Sequence, residues 1–158
     1  MNRRDFVKSS AYTAAGIAAN SAFAKSHEHK HKHEGNSKLE VSGFNKKKLT
    51  KVAKTAQNCV DTGEKCIAHC VTELASGNTM MASCQAIVLN TVAVCEGLAT
   101  LANLDTLPKK EFAAYVQSCS AICKLCSDEC EAHKKHDACK ACMKACLDCI
   151  KACDSLVG

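Results

Sequence analysis

Between Cys139 and Cys153 the chain reads C-K-A-C-M-K-A-C-L-D-C-I-K-A-C, five cysteines at intervals of 3, 4, 3 and 4. Thiols are nucleophiles, redox groups and soft metal ligands, so such a row can do redox or metal chemistry. At about 100° per residue the five fall within roughly 80° of a helical wheel, one stripe on one helix. They take the a and d positions where a bundle helix normally buries Leu, Ile or Val. Cys119, Cys123, Cys126 and Cys130 repeat the pattern within roughly 60°. Upstream, Cys59, Cys66 and Cys70 lack one rung, which falls at Gly63, and Cys84 and Cys95 are separated by Val88 and Thr91 on the intervening rungs. All fourteen cysteines are therefore expected to point at a common axis.

Four helical segments must position these stripes. The first is predicted from about Asn45, its N-cap, to Ala75, ended by Ser76-Gly77-Asn78. The second runs from about Thr79 to Leu104 with Asn78 as its cap. The third starts near Leu107-Pro108, using the only proline where a missing N–H costs nothing, and runs to about His133. The fourth runs from Cys139 or slightly earlier, with Asp137 as a cap, to Leu156. Helix formers dominate and strand-like alternation is absent. Short connections between long helices make them antiparallel neighbours. The expected fold is all-α, an up-down-up-down four-helix bundle with a cysteine-lined core, over residues 44–158.

The N-terminus has a different character. Arg3-Arg4, a mild apolar stretch from Ala11 to Ala19 and Ala22-Phe23-Ala24 resemble a twin-arginine export signal over residues 1–24, which gives a periplasmic destination. That pathway carries folded proteins, which suits thiols that must not oxidise in an unfolded chain. Residues 25–43 read as a polar, disordered linker. It includes His27, His29, His31 and His33, a tract able to bind divalent metals loosely, although a charged spacer explains it equally well. Cleavage after Ala24 removes Arg3, Arg4, Lys8 and Asp5, every arginine of the chain among them, and lowers the net charge from +5 to +3. With no arginine left and only Phe44, Phe112 and Tyr115 as aromatics, a nucleic-acid partner is not expected. No transmembrane run is read in the sequence, so no membrane insertion is expected after signal cleavage.

Four readings compete for the thiols. Cysteine packs as a small hydrophobe, but filling nearly every rung of two helices with an oxidisable residue in an exported protein needs a further reason. Structural disulfides belong to small loop-rich folds, and same-face helical cysteines have nearly parallel Cβ vectors, a poor fit to the S–S dihedral. Zinc and iron–sulfur sites gather their ligands from knuckles and loops and need no long straight ladder. Cu(I) prefers thiolates and accepts low coordination numbers, so two sulfurs one turn apart suffice and a bridging thiolate joins one site to the next. Each bound cation also replaces protons and compensates thiolate charge. A thiol-disulfide redox enzyme would place one C-x-x-C at a helix start among strands, and only Cys139-x-x-Cys142 lies near such a start.

Asn58-Cys59-Val60, Glu64-Lys65-Cys66-Ile67-Ala68-His69-Cys70, Cys84, Cys95 and the two clusters beyond them resemble the bacterial copper storage proteins, four-helix bundles whose interior holds many Cu(I) ions. The resemblance covers the whole bundle, and the twin-arginine leader is similar to that of the exported branch. It implies a non-enzymatic protein that stores, sequesters and detoxifies Cu(I) outside the cytoplasm, several ions per chain, as a homotetramer, with a copper donor and acceptor as partners. A zinc or mixed-metal thiolate protein, a thiol-disulfide redox protein and a one-ion chaperone are the alternatives. The implied metal ligands are all fourteen cysteines, His69 as the histidine preceding a cysteine near the bundle mouth, and Met81, three before Cys84, as a mouth methionine. Glu73 and Ser76 depart from the pattern, standing where the family can carry methionine.

The topology sets which end is open. His69, Cys70, Met80, Met81, Cys84, Cys130, His133, His136 and Cys139 gather at one end, and Val52, Leu98, Ala102, Phe112, Val116 and Val157 continue the seam at the other. Copper is expected to enter at the His/Met end. His133 and His136 are expected in an exposed turn without a ligand role.

Overall fold

The computed structural model describes residues 42–158. The expected signal peptide and nearly all of the expected linker, with His27, His29, His31 and His33, lie outside the described residues. Four helices follow in order: α1 (Lys46–Ala75), α2 (Ala82–Leu104, entered through a 3-10 turn at Thr79–Met81), α3 (Lys109–Ala132) and α4 (Asp137–Val157). Each packs against its two neighbours round the ring, and the diagonal pairs keep their Cα atoms more than 8 Å apart. Cys84 meets Cys130 while Cys95 meets Cys119, Cys66 meets Cys139 while Cys59 meets Cys149, and Cys126 meets Cys142 while Cys123 meets Cys149, so these neighbours run antiparallel.

Local chemistry sets the helix ends. The Asn45 side chain accepts from the Lys47 and Lys48 amides at 3.0 and 3.2 Å, satisfying two of the four orphan donors that start α1. Its other end is a Schellman motif: Gly77, at φ 92°, donates to Leu74, and the Asn78 amide donates 2.9 Å to the Glu73 carbonyl. Asn78 therefore does not cap the next helix with its side chain; its amide group donates to the Glu73 carboxylate instead. Pro108 sits just before the first helical residue of α3, and its carbonyl accepts from Phe112. At α4 the cap position belongs to His136, and Asp137 lies inside the first turn, where its charge suits the positive end of the helix dipole.

The interior divides into two zones. At the closed end Val52, Leu98, Ala102, Phe112 and Val116 are buried, and the seam of α4 is continued by Leu156, with Val157 only half-buried. Leu156 is one turn beyond Cys153 and lies nearer the core face of the helical wheel than Val157. Phe44 closes over this plug, edge-on to Phe112 at 5.8 Å, with Lys109 Nζ over its ring at 5.3 Å. Ser42 is buried too, donating to the Asp105 carboxylate where α2 ends in a left-handed residue.

Among the described residues Thr79–Leu104 is long and apolar enough to cross a membrane, with a mean hydropathy of 1.5 over its best window, contrary to the expectation of no such run. The cause is composition: Glu96 is the only charged residue of α2. In the fold the helix forms one side of the bundle, with Cys84, Val88, Thr91, Cys95 and Leu98 buried against the other helices.

Candidate metal centre

All fourteen cysteines are buried and none is disulfide-bonded. The stripes predicted from spacing therefore become one column of reduced sulfur inside the bundle. Near the mouth, Cys66, Cys70, Cys84 and Cys139 hold their sulfurs within 4.8 Å of one another. Below them come two threefold groups, Cys66 with Cys130 and Cys142, then Cys126 with Cys142 and Cys146. Deepest is Cys59, Cys95, Cys123 and Cys149, one thiol from each helix. Cys66 and Cys142 each belong to two groups, so the first three groups overlap, while the deepest shares no thiol with them. Of the remaining two, Cys119 lies 3.7 Å from Cys95, and Cys153 pairs with Cys149.

Helix packing explains the gaps in the column. A Cβ on Gly63 would lie 2.6 Å from Val92 Cγ2, so α2 leaves no room for a side chain at the missing rung of α1. In α2 the Thr91 rung is buried, and its hydroxyl donates 2.9 Å to the Ile87 carbonyl, which satisfies the group internally. Although α2 brings only two cysteines, each meets α3: Cys95 lies 3.6 Å from Cys123, and Cys84 lies 3.9 Å from Cys130.

Protons are unevenly shared along the column. Burial is the chief cause that pushes the Cys70 and Cys139 thiols up, with neighbouring thiolate charge adding to it. Cys66 is drawn down by hydrogen bonds from Cys130, then Cys142 and Cys84, and Cys149 by bonds from Cys119 and Cys123. Cys123 is lowered as well, through Cys119 and then Cys146. A sulfur that receives several S–H bonds has its thiolate form favoured over that of its neighbours.

The mouth differs from the expected exposed turn. His133 is buried, its Nε2 3.5 Å from Glu129 Oε1. His136 lies against His69, ring centroids 4.7 Å apart, and together with Glu73 they bring three donor atoms within 4.8 Å. His69 thus joins a nitrogen and oxygen group at the rim. Met81 is fully buried in the core, while its neighbour Met80 is 75% exposed. The spacing of His69 and Glu73, one helical turn apart, was a usable sequence signal. His136 was not predictable in this role, because its position depends on how the α3–α4 turn folds back over α1.

Among known proteins, the family model for copper storage protein matches residues 45–158. No curated protein sequence matches the chain. A cytosolic copper storage protein from Streptomyces lividans carrying five coppers is similar in fold, with a TM-score of 0.66 and 24% identity over 71% of this chain and 93% of that one. The copper storage protein Ccsp of Streptomyces lividans loaded with 10 copper equivalents aligns at a TM-score of 0.68 and 22% identity, covering 77% of this chain and 92% of that one. With a family match over the entire bundle and the sulfur column inside it, the chain belongs to the copper storage protein family.

Proposed function

We propose that this protein stores many Cu(I) ions on thiolates inside its bundle, without catalytic turnover, and thereby sequesters and detoxifies copper. The observation that carries this reading is the overlap of the donor groups through Cys66 and Cys142. Shared thiolates turn a row of two- and three-coordinate positions into continuous capacity, which suits a soft d10 ion and is not required by zinc or by a redox pair. The ligands are the fourteen cysteines, with His69 and Met81 serving passage at the mouth. Copper enters at the His/Met end, because Val52, Leu98, Phe112 and Val116 fill the opposite end under Phe44.

The residues ahead of the bundle support a periplasmic location through twin-arginine export, carried by Arg3-Arg4 and Ala22-Phe23-Ala24. A homotetramer is supported by the exposed Leu89, Leu125 and Leu147 on three outer helix faces. Light scattering of the purified protein checks that assembly. One observation favours a second reading: Cys59, Cys95, Cys123 and Cys149 offer four mutually close thiols, a set able to hold a single tetrahedral zinc. Cu(I) bound to the folded chain alone raises the melting temperature progressively as further ions are loaded. An unchanged melting curve counts against internal binding, and a rise complete at one equivalent favours the zinc-like site.

A further inference from the structure

We propose that the plugged end of the bundle is a docking face for an anionic phospholipid surface, which it meets end-on through lysines at the starts of α1 and α3 with Leu104 beside them. The first turn of α1 is Lys46-Lys47-Lys48 and holds no acidic residue, although cations at a helix N-terminus oppose the dipole. Lys48 serves the fold by donating to the Ser155 carbonyl near the end of α4, and Lys109 by lying over the Phe44 ring. Among the described residues no such contact engages the side chains of Lys46, Lys47, Lys51, Lys54 or Lys110, all exposed. Lys47, Lys51 and Lys54 recur at 4 and 3 on one face of α1, where they line a shallow hollow with Thr50 and Thr55. Lys46 shares a small cleft with Asn103 and Asp105 at the end of α2, and Leu104 between those two is 58% exposed.

Carboxylates are sparse at this end: Asp105 accepts from Ser42, Asp154 accepts from Ser120, and Glu111 lies in the first turn of α3. The opposite end is mixed, with Glu129, Glu131 and Asp137 among Lys134, Lys135 and Lys140, and with Lys134 paired to Glu131. The bundle is thus polarised along its axis, with its positive pole at the plug. Lysine carries a point charge on a flexible stem, without the rigid fork that reads a carboxylate bidentately, and so suits a diffuse sheet of phosphates. Each lysine close to such a sheet raises partitioning about fivefold, and an exposed leucine among them adds an apolar anchor at the headgroup boundary. The lysines start from two helices and stand round the end of the bundle, which fits a plane better than an extended chain. Docked in this way, the end carrying Cys70, Met80 and Cys139 faces away from the bilayer. The docking stands independently of what fills the column.

The test uses the full chain, reduced and metal-free, with Arg3→Gln and Arg4→Gln to take the arginine charge out of the leader. Flotation with phosphatidylcholine vesicles containing about 30% phosphatidylglycerol is compared with flotation on phosphatidylcholine alone. The expected result is stronger binding to the anionic vesicles, with the excess removed by about 0.5 M salt. Lys46→Gln, Lys47→Gln, Lys51→Gln and Lys110→Gln together lower that excess at least about thirtyfold. Lys134→Gln, Lys135→Gln, Lys140→Gln and Lys144→Gln take away the same charge elsewhere and lower it less than about threefold. All eight positions are exposed, so both variants stay folded. The chain has no tryptophan, so Leu104→Trp supplies a reporter that brominated lipid quenches on binding, whereas Met80→Trp at the other end is not quenched. Equal loss in the two lysine sets, an excess that survives salt, or quenching at position 80 overturns the proposal. Tight binding to polyglutamate with no excess on anionic vesicles assigns the face to an acidic polypeptide and likewise overturns it.

Discussion

Gly63 occupies a cysteine rung of α1 because a side chain there would run into Val92. Overpacking of this kind costs about 1–3 kcal/mol, so Gly63→Ala is expected to destabilise the reduced protein by that amount in urea unfolding. Gly63→Cys should add no copper capacity despite restoring the repeat. The thiols make a second prediction. For Cys70 and Cys139, pushed above the ordinary value of 9.0, the folded chain holds protons that the unfolded chain has lost. Their contribution is complete below pH 9.0 and is lost as pH rises through their folded values, while the lowered Cys66 and Cys149 add no loss on that side. Thermal melts of the reduced, metal-free protein should therefore weaken as pH rises above 9, and an alkaline gain in stability would refute this assignment. At this scale the sequence was most legible for cysteine, whose spacing alone places it, and least for His136, whose partner lies in another helix.

Among the elements, the α1–α2 connection is the part most dependent on backbone chemistry. Gly77 adopts φ 92° with no atom near its missing Cβ, so Gly77→Ala introduces backbone strain without a clash. The expected cost is about 1 kcal/mol, read as a lower urea midpoint with unchanged copper capacity. The helix spans were readable because apolar and sulfur positions recur at 3 and 4 through each segment. The caps were less so: Asn45 caps α1, whereas Asn78 turns to Glu73 and the α4 cap falls to His136. Asparagine and aspartate bond whichever neighbour the tertiary turn presents, and a linear pattern does not contain that choice. α2 shows the same limit. Its two cysteines do not show in the sequence which thiols they meet, and in the fold Cys95 meets both Cys119 and Cys123, at 3.7 and 3.6 Å. Cys95→Ser should remove about one to two copper equivalents in titration, since a shared ligand serves more than one ion.

For the molecule as a whole, an apolar plug at one end and a column of sulfur reaching the other give the bundle two chemically unlike ends. Four helices with short antiparallel connections were legible in the sequence, as was the end at which the soft and imidazole ligands collect. The pairing of sulfurs into overlapping groups was not, because it depends on helix rotation and on where Gly63 lets α2 approach. Storage is a property of the assembled column, and its capacity is the quantity that separates it from a chaperone, a zinc site or a redox pair. An anaerobic Cu(I) titration of the fully reduced protein against a competing chelator, with free thiols counted on the same sample, measures that capacity directly. Storage in the column requires saturation near the count of fourteen thiols. Saturation at about one to three tightly held ions would contradict it.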